Sequence, residues 1–170
     1  MILFFFICKS CECYSIRKST IIRALESALQ KNWLIVKDAG KKGLGLFCDV
    51  NQISKGSYIG EYFGEKLTLK QYKQRYPYGE SIYTFLISDE EITQRRDLMY
   101  LDAQDVYKSN ITRYINHDST NPNLKFVITR KYDNKGLLQA NVKFYSLRDI
   151  YYDEELLFDY GPKYTLDYNR

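Results

Sequence analysis

The sequence lacks long apolar runs, clustered basic charge and all but one histidine, and each shortage narrows the possible functions. The apolar start at residues 1–7 is much too short to span a bilayer, and no positive residue precedes it as in a secretory signal. We interpret it as a packing segment or a ragged start and predict no membrane partner, with a truncated signal peptide as the alternative. The formal net charge is +4 with acidic and basic residues interspersed, so no direct nucleic-acid binding is predicted.

Cysteine is confined to the first third of the chain. Cys8, Cys11 and Cys13 have a spacing that suits thiolate ligands, but no cysteine follows Cys48. Structural zinc needs four donors, and His117 is the only histidine in the chain. We therefore favour free thiols in a reducing compartment and predict no metal. Zinc held with a fourth donor from another chain or an upstream segment remains the alternative.

Aromatic residues are abundant, with 17 tyrosines and 9 phenylalanines, and they favour strands and aromatic-walled pockets. The spacing predicts an amphipathic helix over residues 15–31, then many short strands and a short helix capped by Thr68. This pattern predicts a mainly β fold with a few short helices. We expect a flank at residues 1–32 with the helix and the cysteine cluster, one folded domain at 33–162, and a short tail at 163–170.

Three short segments are informative in combination, although each is a weak signal by itself. Residues 43–45 (GLG) follow a predicted strand, and glycine lets backbone groups approach a ligand closely. Alone, this segment is better explained by a simple hairpin turn, and it lacks the third glycine and the helix of a dinucleotide-binding loop. A central segment reads RYINH at residues 113–117, and a C-terminal segment reads EELLFDYG at residues 154–161.

Taken in order, these segments resemble the recurrent motifs of the SET-domain protein lysine methyltransferase family over residues 33–164. The family's Gly-x-Gly loop matches residues 43–45, its Glu-Tyr-x-Gly strand matches 61–64, and its Asn-His and Asp-Tyr-Gly segments match 113–117 and 154–161. The resemblance implies the SET-domain (β-clip) fold of small sheets, with a C-terminal pseudoknot. It also implies methyl transfer from S-adenosylmethionine to a lysine side chain of a protein.

The resemblance assigns site residues by their motif positions. It implies that Tyr160 and Tyr83 are catalytic. The implied residues that bind S-adenosylmethionine are Lys42, Gly43, Leu44, Gly45, Tyr83, Arg113, Asn116, His117 and Tyr160. The implied substrate channel consists of Tyr62, Tyr83, Phe158 and Tyr164. Without the motif context, core packing would explain both tyrosines, and a hydrogen-bonded core position would explain His117.

The identity of residue 158 affects how many methyl groups the product lysine is expected to carry. In the resembled family, a tyrosine at this position holds a water that crowds the channel and restricts the product to monomethyl-lysine. A phenyl ring lacks that hydroxyl. The resemblance therefore implies that this chain forms di- or trimethyl-lysine.

The match departs from the family just after His117. The family usually continues with Ser-Cys, and that cysteine joins a zinc site with a cysteine-rich tail, whereas residues 118–120 read DST here. We expect Tyr164, Leu166 and Tyr168 of the tail to fold back and supply the missing channel wall, since aromatic residues can cover an apolar slot.

By family analogy alone, a histone tail is the favoured substrate, with other protein lysines nearly as plausible. We expect a monomer, nuclear if histones are the substrate and cytosolic otherwise. Two other functions stay open. One is a catalytically silent SET module that acts as a protein-interaction scaffold, and the other is a β-rich nucleic-acid binder with strongly salt-dependent affinity.

Overall fold

A computed structural model describes residues 33–78, 81–87, 99–132, 134 and 138–161. The predicted helix at 15–31, the cysteine cluster and Tyr164 lie outside these residues. Within them the chain is mostly strand, so the predicted mainly β fold is confirmed.

The strands are short and form four small sheets in the described part of the chain. In chain order they are β1 (Leu34–Asp38), β2 (Leu44–Cys48), β3 (Gln52–Ile53), β4 (Tyr58–Tyr62), β5 (Glu65–Thr68), β6 (Thr84–Leu86), β7 (Met99–Asp102), β8 (Asn116–His117), β9 (Leu124–Tyr132), β10 (Leu138–Ser146), β11 (Ile150–Tyr151) and β12 (Leu157–Phe158). The helical segments are α1 (Leu69–Arg75) and 3-10 helices at Gly40–Lys42, Val106–Lys108 and Ile111–Tyr114.

The largest sheet contains five strands in the order β4-β10-β9-β12-β8. β4, β10 and β9 are antiparallel neighbours, whereas β12 runs parallel to both β8 and β9. β12 therefore lies between two strands that follow one another in sequence, so the connection from β8 to β9 must cross over it. Asp118 N donates to Phe158 O at 3.1 Å and Asn123 N donates to Leu157 O at 3.0 Å, which fixes both ends of this crossing. This arrangement is the pseudoknot that the family resemblance implied.

The three smaller sheets are β1-β2, β11-β3 and β5-β7-β6. Residues 51–56, where the sequence predicts only a turn, contain β3. This two-residue strand pairs with β11, so that Ile53 lies opposite Ile150 and both are buried. A partner almost one hundred residues away stabilises this strand, so the local sequence does not reveal it.

The predicted helix cap at Thr68 is present. Thr68 Oγ1 accepts a hydrogen bond from Gln71 N at 3.3 Å, and Gln71 Oε1 accepts one from Thr68 N at 2.8 Å. This reciprocal capping box starts α1 directly after β5. At the other end of the helix, Arg75 Nη1 donates to the buried carboxylate of Asp102 at 2.8 Å, which fixes α1 to β7.

Gly64, which follows β4, is required by close packing. A Cβ built there would lie 2.5 Å from the carbonyl oxygen of Asp102, a distance that side chains do not tolerate. The glycine therefore lets the β5-β7-β6 sheet approach the end of β4, which brings that sheet against the aromatic face of the main sheet.

Candidate active site

Asn116 joins the glycine loop to the C-terminal segment. Its Nδ2 donates to the carbonyl oxygen of Leu44 at 3.1 Å and to Glu155 Oε1 at 2.7 Å. The parallel pairing of β8 with β12 places Asn116 opposite Leu157, directly beside this carboxylate. One side chain therefore links three stretches that lie far apart in the sequence.

His117 holds the start of the segment that carries Tyr160. Its Nδ1 accepts a hydrogen bond from Tyr160 N at 3.0 Å, and the two ring centroids are 5.1 Å apart. In the neutral imidazole, this arrangement leaves the lone pair on Nδ1 and the ring proton on Nε2. Asp159 Oδ1 lies 3.9 Å from the same nitrogen, but in this tautomer the contact is not an ion pair.

The hydroxyl of Tyr160 donates to the carbonyl oxygen of Ile115 at 2.7 Å. Ile115 is buried, so the bond ties a phenol at the end of the pseudoknot to the backbone just before Asn116. Hydrogen bonds of Asn116, His117 and Tyr160 thus connect the glycine segment, residues 115–117 and Tyr160 in the structure.

The glycine loop has a special backbone at Gly43, whose φ of +78° lies in the left-handed region that favours glycine. Nothing lies within 4 Å of the position where a Cβ of Gly43 would be. Leu44 and Gly45, the last two residues of this loop, are also the first two residues of β2. A Cβ on Gly45 would lie 2.7 Å from Glu155 Oε1, so this glycine makes room for the carboxylate.

Glu155 is a site residue that the sequence prediction missed. Its Oε2 accepts a hydrogen bond from Lys42 Nζ at 3.1 Å, while its Oε1 accepts the bond from Asn116. The side chain is only 15% exposed, so the ion pair is poorly screened by solvent. The sequence did contain a hint of this role, since Glu155 directly precedes the apolar run of β12. Its partners Lys42 and Asn116 could not be predicted, because both lie far away in the sequence.

Arg113 is buried and lies against Tyr83. Its guanidinium carbon is 4.0 Å from the Tyr83 ring centroid and 5.3 Å from that of Tyr114. Nη2 donates to the carbonyl oxygen of Gln104 at 3.2 Å, whereas the buried Nε and Nη1 have no hydrogen-bond partner. The cation is therefore stabilised by aromatic rings, and this contact fixes the orientation of Tyr83.

Tyr62 connects Tyr83 to the aromatic interior. Its hydroxyl donates to the carbonyl oxygen of Tyr83 at 2.8 Å, and its ring is edge-on to Phe144 at 6.3 Å. Burial raises the pKa of the Tyr62 phenol well above its ordinary value, with Arg113 acting in the opposite direction. The hydroxyl thus remains protonated and keeps this hydrogen bond at physiological pH.

Phe158 lies at the centre of an aromatic cluster. Its ring centroid is 4.4 Å from that of Tyr160, 4.9 Å from Phe144 and 6.0 Å from both Phe85 and Phe126. The predicted channel residues Tyr62 and Phe158 therefore share one cluster, which we call the aromatic cluster: Tyr62, Phe85, Phe126, Phe144, Phe158 and Tyr160. Phe85, Phe126 and Phe144 were not predicted as channel residues, although all three lie on predicted strands.

The stretch that departs from the family is ordered by hydrogen bonds. Asp118 Oδ1 accepts from the backbone N–H groups of Asn121 and Thr120, at 2.9 and 2.8 Å. These bonds hold the pKa of the Asp118 carboxyl below its ordinary value. Asn123 is buried and its Nδ2 donates to the carbonyl oxygen of Glu155 at 2.7 Å. The loop over β12 thus has a defined shape that does not depend on the family's cysteine.

The residues that the structure describes contain no group of three or more His, Cys, Asp or Glu side chains placed to hold a metal ion. None of their helices has the length and apolar character needed to cross a membrane.

The knotted sheet, with an Asn-His pair beside a half-buried tyrosine and a glycine loop, defines a SET-type β fold. A family model described as the SET domain matches residues 43–161. The chain belongs to the SET-domain family, and the fold that the resemblance implied is confirmed.

Curated relatives support the same assignment. The chain is 30% identical over 155 residues to the histone-lysine N-methyltransferase SUVR3 of Arabidopsis thaliana, an alignment that covers 87% of this chain and 42% of the relative. It is 29% identical over 143 residues to the human histone-lysine N-methyltransferase SETMAR, covering 84% of this chain and 20% of the relative. The chain thus spans less than half the length of either relative.

Solved structures agree on the fold. The Neurospora histone lysine methyltransferase DIM-5 aligns with a TM-score of 0.59 at 25% identity, over 78% of this chain and 54% of that one. ATXR5, in complex with histone H3.1 mono-methylated on R26, aligns with a TM-score of 0.61 at 21% identity, over 95% of this chain and 70% of that one.

Proposed function

We propose that the chain is an S-adenosylmethionine-dependent protein lysine N-methyltransferase. The observation that carries this proposal is the junction at Asn116, which joins the glycine loop to the segment that ends in Tyr160. This junction lies beside the aromatic cluster, so a cofactor pocket and an apolar channel would adjoin. The names of the curated relatives support the same activity.

The glycine loop fits the proposed cofactor. The space beside Gly43 is open and Leu44 is 51% exposed, so this segment leaves room for a ligand to lie against it. S-adenosylmethionine would supply the activated methyl group and a sulfonium charge. We assign its binding to the loop from Lys42 to Gly45, to Asn116 and to His117, with Arg113 holding Tyr83 in place.

The aromatic cluster would prepare the lysine for reaction. An amine must be unprotonated to attack a methyl group, and an apolar enclosure disfavours the ammonium form. Tyr62 and Phe158 provide such an enclosure because both are more than nine-tenths buried. The hydroxyl of Tyr160 and the carbonyl of Ile115 are fixed at its inner end, where they would orient the amine and stabilise the transferring methyl group.

A histone tail is the proposed substrate class, and a nuclear location follows from it. Support comes from the histone-lysine N-methyltransferase names of the relatives and from the histone H3.1 peptide in the ATXR5 structure. The order of the loop at residues 118–123, which Asp118 maintains, removes one reason to favour a catalytically silent scaffold.

The proposal predicts saturable transfer of radiolabelled methyl groups to core histones by the purified chain. The label should be found on lysine after proteolysis, and calorimetry should detect S-adenosylmethionine binding by the same preparation. A folded sample that binds no S-adenosylmethionine and labels neither histones nor a cell lysate would favour the scaffold.

The same reaction should proceed to di- or trimethyl-lysine. Phe158 is 4% exposed and surrounded by rings, so it offers no hydroxyl to hold a water in the channel. Mass spectrometry of a single-lysine peptide measures the product, and Phe158→Tyr should shift it towards monomethyl-lysine. A wild-type product that stops at monomethyl-lysine under excess enzyme would contradict this prediction.

A further inference from the structure

We propose that Phe126 is a substrate-specificity residue that forms the solvent-facing rim of the lysine channel and contacts the methylene stem of the target lysine. The inference rests on the proposed function and extends it to a residue that no family motif contains. Phe126 lies on β9, the strand next to β12, in a part of the sequence without catalytic signature.

The ring geometry places Phe126 at an opening of the aromatic cluster. Phe85 and Phe158 are nearly parallel, with an interplanar angle of 16° and centroids 6.0 Å apart. The ring of Phe126 is almost perpendicular to both, at 78° to Phe85 and 77° to Phe158. Phe158 is 4% exposed whereas Phe126 is 40% exposed, so a continuous aromatic surface runs from the interior to solvent.

The size of this surface is comparable to that of a lysine side chain. The Phe158 centroid is 4.4 Å from that of Tyr160 and 6.0 Å from that of Phe126. An extended lysine stem is roughly 6 Å long from Cα to Nζ. With its amine near Tyr160 and its stem against Phe158, a lysine would have its outer methylenes on the side of the exposed Phe126 ring.

The scaffold around Phe126 is fixed. Leu124 and Phe126 share one face of β9 because side chains alternate along a strand, and Leu124 is buried. On the same face, Arg130 Nε donates to the carbonyl oxygen of Ile87 at 3.1 Å, which anchors the end of β6. The Phe85 ring on β6 is thus held against Phe126 before any substrate arrives.

The chemistry of the contact predicts which kinetic constant it controls. An aromatic ring attracts both the apolar methylenes of lysine and, on entry, its positive amine. Phe158 contacts Tyr160, and Phe126 contacts Phe158. Phe126 would therefore touch the lysine stem and not the reacting nitrogen. A contact made equally in the ground state and the transition state changes KM and leaves kcat unchanged.

Phe126→Ala tests this, with Val127→Ala as the matched control. Val127 is the next residue on β9, is 42% exposed and lies on the opposite face. We expect Phe126→Ala to raise the peptide KM about tenfold, the effect of losing part of one aromatic contact, with kcat within about twofold. Val127→Ala should change neither constant, and Phe126→Trp should restore a low KM. Calorimetry should give the same Kd for S-adenosylmethionine in all variants.

Equal KM values for Phe126→Ala and Val127→Ala would overturn the inference. So would a loss of S-adenosylmethionine affinity or thermal stability in Phe126→Ala, since that would mark a structural residue. Fluorescence anisotropy of a labelled histone peptide tests the role of Phe126 separately from the proposed methyltransferase activity, because peptide binding can be measured without methyl transfer. Phe126-dependent peptide binding without methyl transfer would remove the proposed activity but retain the rim, and absence of peptide binding to the wild type would remove the rim.

Discussion

Tyr160→Phe is expected to lower kcat for methyl transfer by about 100- to 1000-fold, the usual cost of removing one preorganised polar group at a reacting centre. The substitution keeps the ring, and with it the contacts of 4.4 Å to Phe158 and 5.1 Å to His117. Only the hydroxyl that donates to Ile115 O is lost. The fold and cofactor binding should therefore persist while transfer fails.

The measurement is radiolabelled methyl transfer under saturating substrate, with calorimetry for S-adenosylmethionine on the same sample. Tyr152→Phe is the matched control because it removes the same hydroxyl from a tyrosine that is 64% exposed. Loss of the bond to Ile115 leaves a buried carbonyl unpaired, which costs about 1–3 kcal/mol of stability. A Tyr160→Phe variant with wild-type kcat would exclude Tyr160 from the chemistry.

The sequence predicted the fold well because the motif order is tied to the topology. Residues 116–117 and 157–158 belong to two of the matched motifs, and their parallel pairing is itself the core of the pseudoknot. The helix start at Thr68 was also predictable, since a capping box involves only residues three positions apart. Features that depend on local chemistry or on the matched motifs were thus recovered.

Other features depend on partners that the local sequence does not contain. β3 and β11 are two residues long and exist through their pairing with each other. Glu155 gains its role only when β12 lies beside β8, which brings it to Asn116, and when β2 presents Gly45. Phe126 looks like any aromatic residue on a strand until Phe85 of another sheet packs against it. Tertiary contacts therefore define the part of the site that the motifs omit.

Arg113 is a motif residue whose contacts the motif does not predict. The motif implies that Arg113 binds the cofactor, and this stays a prediction; the structure shows in addition that its guanidinium lies on the Tyr83 ring and donates to the Gln104 carbonyl. A buried cation whose Nε and Nη1 have no hydrogen-bond partner is costly, so the aromatic contact must offset part of that cost. Arg113 thus acts on the proposed site through Tyr83.

Glu155→Ala is expected to weaken S-adenosylmethionine binding about 10- to 100-fold. The substitution removes the carboxylate that accepts hydrogen bonds from both Lys42 and Asn116. Lys42 would lose its ion pair, and Asn116 would keep only its bond to Leu44. The glycine loop would then lose its ion-pair contact with the C-terminal segment. Glu155→Gln should have a smaller effect, since the amide oxygen can still accept from Asn116 although the charge that faces Lys42 is gone.

Calorimetry on folded samples measures this order of affinities, wild type above Glu155→Gln above Glu155→Ala. Glu65→Gln is the matched control: Glu65 is also ion-paired, with Arg75 and Lys108, but it lies on β5 in another sheet. Lys42→Met should resemble Glu155→Gln, because each removes the ion pair and leaves the bond to Asn116. If Glu155→Ala binds S-adenosylmethionine as tightly as the wild type, the loop is fixed without the carboxylate, and Gly45 makes room for a side chain that plays no part in binding.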